Sequence, residues 1–379
     1  MEKERKQFYE SLPENLTYES VTTVKIGNRL VGKGQPVLII AEAGANHRGK
    51  LGNALKMIEL AARAGADVIK FQHLVHDKIA ADTKIYNKQE KSIGTLSEFY
   101  RSAEMPSSWT DKLIAHAKKH HIMFLSSPFD KDAVDALDKA GVAAFKVASY
   151  ELIDDILLRH IARKGKPIIL STGMAYLEEV AHAVRVIQEE GNNKIILLHC
   201  ISMYPPKSFV DINLHAIETL SEAFKLPVGY SDHSQPPYLA APIAAVALGA
   251  RVIEKHFTTD QKGGSNDDFN SLEIGEFERT VSEIRNTEQA LSKAGIKQPV
   301  CEKGHALGRD EIADRWARRS LYAARDIPAG SRVTEDMVIT LRPWGGIAPK
   351  DAKLIFGKKT LRNIKARAAI TWEDFLETK

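Results

Sequence analysis

Residues 247–260 read ALGARVIEKHFTTD, and the middle of that stretch decides the fold. Val252 and Ile253 begin like a buried β-strand, yet Glu254, Lys255 and His256 follow at once, with Phe257 behind them. Burying one ionisable side chain without a partner is expensive, so a strand that ends in three needs partners delivered by its neighbours. Seven more stretches between residues 37 and 257 share the design: VLIIAEAG, ADVIKFQ, IMFLSSPF, AAFKVAS, PIILSTGM, KIILLHC and PVGYSDH. Each is a short apolar run closed by polar residues, and helix-length amphipathic segments lie between them.

In LGNALKMIELAARAGA, for instance, Leu51, Leu55, Ile58 and Ala62 fall on one face and Gly65 supplies the stop. Continuous apolar strands separated by helices imply a parallel sheet covered on its outer face. Eight such units in about 250 residues have the size of a (β/α)8 barrel, although a doubly wound open sheet uses the same alphabet. The polar residues favour the barrel, because there the C-terminal strand ends converge on one mouth. In order, the strands deliver Glu42 with Asn46 and His47; Lys70 and Gln72; Ser126 and Ser127; Lys146, Ser149 and Glu151; Ser171 and Thr172; His199 through Tyr204; Asp232 and His233; and Glu254 to His256. The expected fold class is therefore α/β, a TIM barrel in which all eight strands feed one site.

Composition narrows the function. With 44% hydrophobic and 27% charged residues among 379, the chain has the balance of a globular protein. A net charge of +4 is too weak and dispersed to point to nucleic acid or membrane partners. No apolar run approaches a membrane span, and the charged first twenty residues do not read as a signal peptide, so a cytoplasmic location is expected. Two cysteines, Cys200 and Cys301, are too few for a disulfide framework or a metal knuckle.

After Phe257 comes a Gly- and Asp-rich loop, KGGSNDDFNS, then a helix with Phe277, Val281, Ile284 and Leu291 near helical spacing. Beyond it the pattern fades into a polar linker, and DIPAGSRVTED at 326–336 aligns without a gap with NIKARAAITWE at 363–373. That pseudo-repeat suggests a compact β-rich module of two similar halves. The predicted organisation is an N-terminal extension (1–34), a barrel domain (35–293), a linker (294–316) and a small β-rich domain (317–379).

Within the predicted mouth, His233 and His256 close the seventh and eighth strands. Adjacent strands lie about 4.8 Å apart, so two imidazoles at matching depth can share a divalent ion with open positions for water and substrate oxygen; a single strand-end histidine is more often a bonded core residue. Lys70 and Lys146, with Ser127, Ser149 and Ser171, form a cradle for phosphate or carboxylate. The alternative makes each lysine the salt-bridge partner of Glu42, Glu151 or Glu254. Glu42 and Asp267 are candidate acid–base groups from neighbouring elements, although GGSNDD also reads as solvated loop. HAKKHH at 116–121 ends an amphipathic helix, where cations complement the dipole, and no metal is expected there. Cys200 reads as a small buried hydrophobe, and the glycines around NHRGK lack dinucleotide-loop spacing.

Taken together, IIAEAGANHRG, DVIKFQ, FLSSPF, FKVASYE, ILSTGM, LLHC with its following YP, GYSDH, ALGA and IEKHFT resemble the sialic acid synthases, more broadly the nonulosonic acid synthases. The tail from SLYAARDIPAG through LRPWGG to FGKK is similar to that family's C-terminal antifreeze-like (SAF, β-clip) domain. The resemblance implies a metal-dependent condensation of phosphoenolpyruvate (PEP) with an N-acylated hexose, N-acetylmannosamine or a 2,4-diacetamido-trideoxyhexose, to give a sialic-acid-like sugar acid and phosphate. By position it implies that His233 and His256 ligate manganese or magnesium. Lys70, Ser127, Lys146, Ser149 and Ser171 match the PEP-binding set, and Glu42, Gln72, Glu151, Tyr204 and Asp267 match residues contacting the sugar or the attacking water. Arg342 matches an arginine that a partner subunit extends over the N-acyl group, which implies a domain-swapped homodimer. Ser149-Tyr150-Glu151 stands where sialic-acid-forming members commonly read Ser-Gly-Glu, an aromatic closer to the pseudaminic-acid and spore-coat branches, and Ser265-Asn266-Asp267-Asp268 replaces the more usual Gly-Pro-Asp-His. The rival readings are a metal-dependent pyruvate aldolase, another PEP-utilising barrel synthase and a non-catalytic sugar-binding relative.

Overall fold

The computed structural model describes residues 21–86, 92–235, 239–291 and 318–375. The expected linker at 294–316 lies outside the described residues. The chain divides into two units, Met1–Leu291 and Ser292–Lys379.

The first unit carries eight parallel strands: β1 (Leu38–Glu42), β2 (Val68–His73), β3 (Met123–Pro128), β4 (Phe145–Val147), β5 (Ile168–Ser171), β6 (Ile195–Cys200), β7 (Val228–Asp232) and β8 (Val252–Thr258). Hydrogen-bonded ladders run β3-β2-β1-β8-β7-β6-β5-β4, and β4 packs beside β3 to bring the ends of the sheet together. A nearly closed eight-stranded barrel results. Each strand is followed by a helix: α1 (Leu51–Arg63), α2 (Thr110–Lys119), α3 (Lys131–Lys139), α4 (Asp155–Ala162), α5 (Leu177–Glu189), α6 (Ala216–Phe224), α7 (Ala240–Ala247) and α8 (Ile274–Leu291). Asp130 and Asp154 cap α3 and α4 by accepting from the Ala133 and Leu157 amides. Gly65, just past α1, takes φ +83°, the left-handed stop its sequence position predicts.

Strand residues alternate between two cores. Leu38, Ile40, Val68, Leu125, Ile169, Ile196, Leu198 and Val252 fill the barrel interior, while Ile39, Phe71, Phe145, Leu170, Leu197, Tyr230, Ile253 and Phe257 pack outward under the helices. The residues buried deepest on α1 are Ala54, Met57, Ile58, Leu60 and Ala61, whereas Leu51, Leu55 and Ala62 pack at the edge of that core. The face is thus rotated from the expected Leu51-Leu55-Ile58-Ala62 stripe, because small Ala54 and Ala61 let the helix lie close to the sheet. Leu291 is exposed, unlike Phe277 and Ile284.

Residues 23–32, within the expected N-terminal extension, pack against the barrel. An antiparallel hairpin of Thr23–Ile26 with Arg29–Gly32 inserts Val24, Ile26 and Val31 among the lower interior residues. It closes the end of the barrel opposite the mouth, and each such burial contributes roughly 1.5–3 kcal/mol.

The second unit pairs β9 (Ser320–Ala323) with β10 (Val338–Leu341). The predicted repeat is realised directly: Ile327 and Ile364 exchange backbone hydrogen bonds of 2.8 Å, and Thr334 and Thr371 each start a short 3-10 turn. Its core is small, built from Leu321, Ala323, Ile327, Val333, Ile347, Ile355, Ile364 and Ile370.

Candidate active site at the barrel mouth

Alternation sorts the strand-end polar residues into two sets. On β8, Glu254 and His256 face the interior cavity, while Lys255 turns outward and pairs with Asp232 at 2.8 Å. Lys255 also donates to the Ser234 carbonyl, and Asp232 accepts from Tyr230 Oη at 3.0 Å. Ser126 and His199 likewise face away from the cavity: Ser126 bonds His73 Nδ1 at 2.6 Å and His199 bonds the Ile212 carbonyl. The strands therefore feed one site with alternate residues only, and Ser126, His199, Asp232 and Lys255 do not belong to it.

The inward set forms a charged network. Lys70 Nζ lies 2.6 Å from Glu42 Oε2, 3.3 Å from Ser127 Oγ and 3.8 Å from Glu254 Oε2. Lys146 Nζ lies 3.5 Å from the other Glu254 oxygen, which also accepts from Ser231 Oγ at 3.0 Å. Gln72 donates to Glu42 Oε1 at 2.8 Å. All four charged side chains are almost wholly buried, so two cations offset two anions where either sign alone would be costly. The cradle and salt-bridge readings of the lysines thus describe the same atoms.

The two carboxylates differ. Burial raises the Glu254 pKa, but Lys146 and Lys70 outweigh it and hold the group below its ordinary value. Burial pushes Glu42 up to about 7; Lys70 opposes this and Glu254 adds to it. For Lys70, burial is outweighed by Glu254 and Glu42, which raise its pKa, while burial lowers that of Lys146. Glu254, which the sequence reading delivered to the mouth but gave no part beyond a salt bridge to the lysines, is the hub of the network; its inward alternation with His256 was the available signal.

His233 and His256 face each other with ring centroids 5.5 Å apart, and Tyr204 stacks on His233 at 4.0 Å. The Ile201 carbonyl lies 2.8 Å from His233 Nδ1, an arrangement that fixes the ring and leaves Nε2 for a ligand. His256 Nδ1 is buried without a hydrogen-bond partner, and burial, reinforced by His233 and the lysines, holds this imidazole well below its ordinary pKa, hence neutral. A neutral, unpartnered imidazole beside an oriented one fits a divalent ion. Cys200 is buried as expected, yet its Sγ is 3.8 Å from His233 Nδ1.

Ser149 accepts from the Gly173 amide at 3.1 Å, and Ser171 Oγ is buried without a partner; both line the cavity with Tyr204. Glu151 and Asp267 stand just outside its lining. Glu151 is half-buried, one oxygen lacks a partner, and burial pushes its pKa up to about 7. Asp267 accepts from the Ala45 amide at 2.8 Å, which anchors it to the first strand's loop. It is therefore more than solvated loop chemistry. Arg342 is exposed in the second unit.

Away from the mouth, one group of three possible metal ligands occurs among the described residues: Glu59, His116 and His120. Dipole complementation is thus not the whole account of HAKKHH, since a carboxylate from another helix joins two of its histidines.

A model of the NeuB family matches residues 57–295, and one of the SAF domain matches residues 318–376. The chain belongs to the NeuB family. Among its relatives in that family, N,N'-diacetyllegionaminic acid synthase of Campylobacter jejuni is 40% identical over 334 residues, spanning 86% of this chain and 97% of the relative. Pseudaminic acid synthase of the same organism is 37% identical over 361 residues, spanning 93% and 100%. The crystal structure of spore coat polysaccharide biosynthesis protein SpsE from Bacillus subtilis superposes with a TM-score of 0.63 at 37% identity, covering 94% of this chain and all of that one. Among the described residues no helix is long and apolar enough to cross a membrane.

Proposed function

We propose that this NeuB family chain condenses PEP with an open-chain N-acylated hexose, giving a nine-carbon sugar acid and phosphate. The observation that carries the reading is the convergence of Lys70 and Lys146 with Ser127, Ser149 and Ser171 on one cavity. Two ammonium groups and three hydroxyls suit a small molecule bearing phosphate and carboxylate. The names of its acid-synthase relatives agree.

In this reading the lysines neutralise PEP while the serine hydroxyls orient it. C3 of PEP forms a bond to the sugar's aldehyde carbon, and the aldehyde oxygen gains a proton. Water adds at C2, and phosphate leaves with C–O cleavage, so the product keeps a 2-keto acid. Glu42 takes the proton from that water, a role suited to a pKa near 7. His233 and His256 would hold manganese or magnesium, which when bound polarises the aldehyde. Holding both substrates in line contributes much of the rate.

Tyr150, half-exposed at the cavity, offers an apolar face to the sugar. That feature and the legionaminic and pseudaminic relatives favour a 2,4-diacetamido-trideoxyhexose over N-acetylmannosamine. We also assign Arg342 to the sugar site of a partner subunit in a homodimer; mixing Arg342→Ala with a barrel-inactive variant should restore activity through hybrid dimers, and failure to do so with hybrids present removes this assignment.

The test is incubation with PEP, manganese and a panel of N-acylated hexoses, reading phosphate release and product mass. Phosphate with a product of the mass of the hexose plus pyruvic acid is expected; turnover of pyruvate without phosphate overturns the reading. His233→Ala or His256→Ala should abolish metal-stimulated turnover, and unchanged activity in either removes the metal assignment.

A further inference from the structure

Glu59 near the end of α1 and His116 with His120 at the end of α2 meet on the outer wall of the barrel. His116 Nε2 is 3.3 Å from Glu59 Oε1, the His116 and His120 ring centroids are 4.6 Å apart, and one ligand atom of each residue lies within 4.8 Å of the others. The two histidines are four apart, so they share one helix face. Tetrahedral zinc with bonds of about 2.0 Å spaces its ligand atoms roughly 3.3 Å apart, the separation already present between His116 and Glu59.

Location separates this cluster from the mouth. The helices return antiparallel to the strands, and His120 precedes β3 at Met123 by three positions, which puts the cluster level with the strand starts. His233 and His256 sit at the other end, a strand length of roughly 17–20 Å away. The charge around it is also informative. Lys56 holds Glu59 Oε2 at 3.0 Å, leaving Oε1 toward His116, and Lys118 and Lys119 lie exposed on α2. A hard, oxygen-seeking ion gains little among those cations, whereas imidazole nitrogens favour late transition metals.

We propose that Glu59, His116 and His120 form a second cation site that takes a zinc-class metal and clamps α1 to α2. Two imidazoles and one carboxylate provide three donors, and water completes the fourth position. Because α1 and α2 back the strands that carry Glu42, Lys70 and Ser127, the bound ion stabilises that side of the barrel. The proposal stands independently of the reaction assigned to the mouth.

Metal-free full-length protein carrying H233A/H256A, which removes the mouth's imidazoles, is titrated with Zn2+ alone by calorimetry. One zinc per chain and a raised melting temperature are expected, with no heat from Mg2+. Adding H116A/H120A should abolish both effects, and E59Q should weaken binding by about tenfold or more. Unchanged zinc binding in the protein lacking His116 and His120, or none in its H233A/H256A parent, overturns the site. Cobalt supplies an independent readout: its visible tetrahedral band should appear in the parent and vanish in H120N, the variant to use should the double alanine fail to fold, and persistence of the band in H120N would equally refute the proposal.

Discussion

Lys70 Nζ sits 2.6 Å from Glu42 Oε2 with both side chains almost fully buried, yet Glu42 is the carboxylate whose pKa is pushed up to about 7. Burial is the main reason, and it outweighs Lys70; Glu254 adds to it, because that carboxylate already offsets both lysines and is held ionised by them. One carboxylate is a fixed counter-charge, and the other is free to exchange a proton near neutral pH.

Glu42→Gln keeps the bond to Gln72 possible but removes the titrating group and, with it, one of the two anions beside Lys70. A fall in kcat of about 10²–10⁴ is expected. In the parent enzyme a base must be ionised, so activity should climb as pH rises through about 7, and this limb should disappear in the variant. A pH–rate profile in which the limb survives assigns the base elsewhere.

Glu254→Gln should be more damaging to the fold than to any one step. It leaves Lys70 and Lys146 buried with Glu42 alone, and breaking such a network costs about 3–5 kcal/mol. Phosphate or PEP should recover part of that loss by supplying the missing anion. Urea midpoints with and without phosphate check this; equal midpoints for parent and variant would show that Glu254 is not the hub.

Much of this was legible. Eight apolar runs with polar ends specified the barrel, and the residues at Lys70, Lys146, His233 and His256 could be placed at one mouth before any coordinates. What escaped has particular causes. Lys255 and Asp232 were grouped with the site although the two-residue period of a strand turns them outward, where they pair with each other. Glu254 was placed at the mouth but given no role beyond competing for the lysines, when a buried cation cradle requires such a counter-charge while no substrate is bound. The hairpin at 23–32 carries only Val24, Ile26 and Val31 as buried anchors, too few for periodicity to reveal that it seals the barrel. Glu59 lies 57 residues from its partner His116, a juxtaposition that only the packing of α1 on α2 creates.

Glu151 makes a stability prediction of definite sign. Its pKa rises from an ordinary 4.5 to about 7 on folding, so the folded state binds this proton more tightly than the unfolded chain does. The contribution is full below about 4.5 and is lost as pH rises through about 7. In ligand-free protein, the urea midpoint of Glu151→Gln should therefore fall less between pH 5 and pH 8 than that of the parent. Parallel pH dependences would mean that Glu151 is not protonated in the folded state.

Gly44 is where the first strand's loop meets the loop after β8. Its φ is +47°, and a Cβ there would stand 2.1 Å from Asp267 Oδ2, the oxygen that accepts from the Ala45 amide. Gly44→Ala therefore combines a left-handed backbone cost of about 1–2 kcal/mol with displacement of Asp267. If Asp267 serves the sugar, the KM for the N-acylated hexose should rise while PEP binding, which we assign to Lys70, Lys146 and the serines, stays within about twofold as expected for separate contacts. Calorimetry with PEP alone and steady-state assays at saturating PEP separate the two. A sugar KM that does not move would take Asp267 out of the sugar site, and a loss of PEP affinity would show instead that the loop supports the anion cradle.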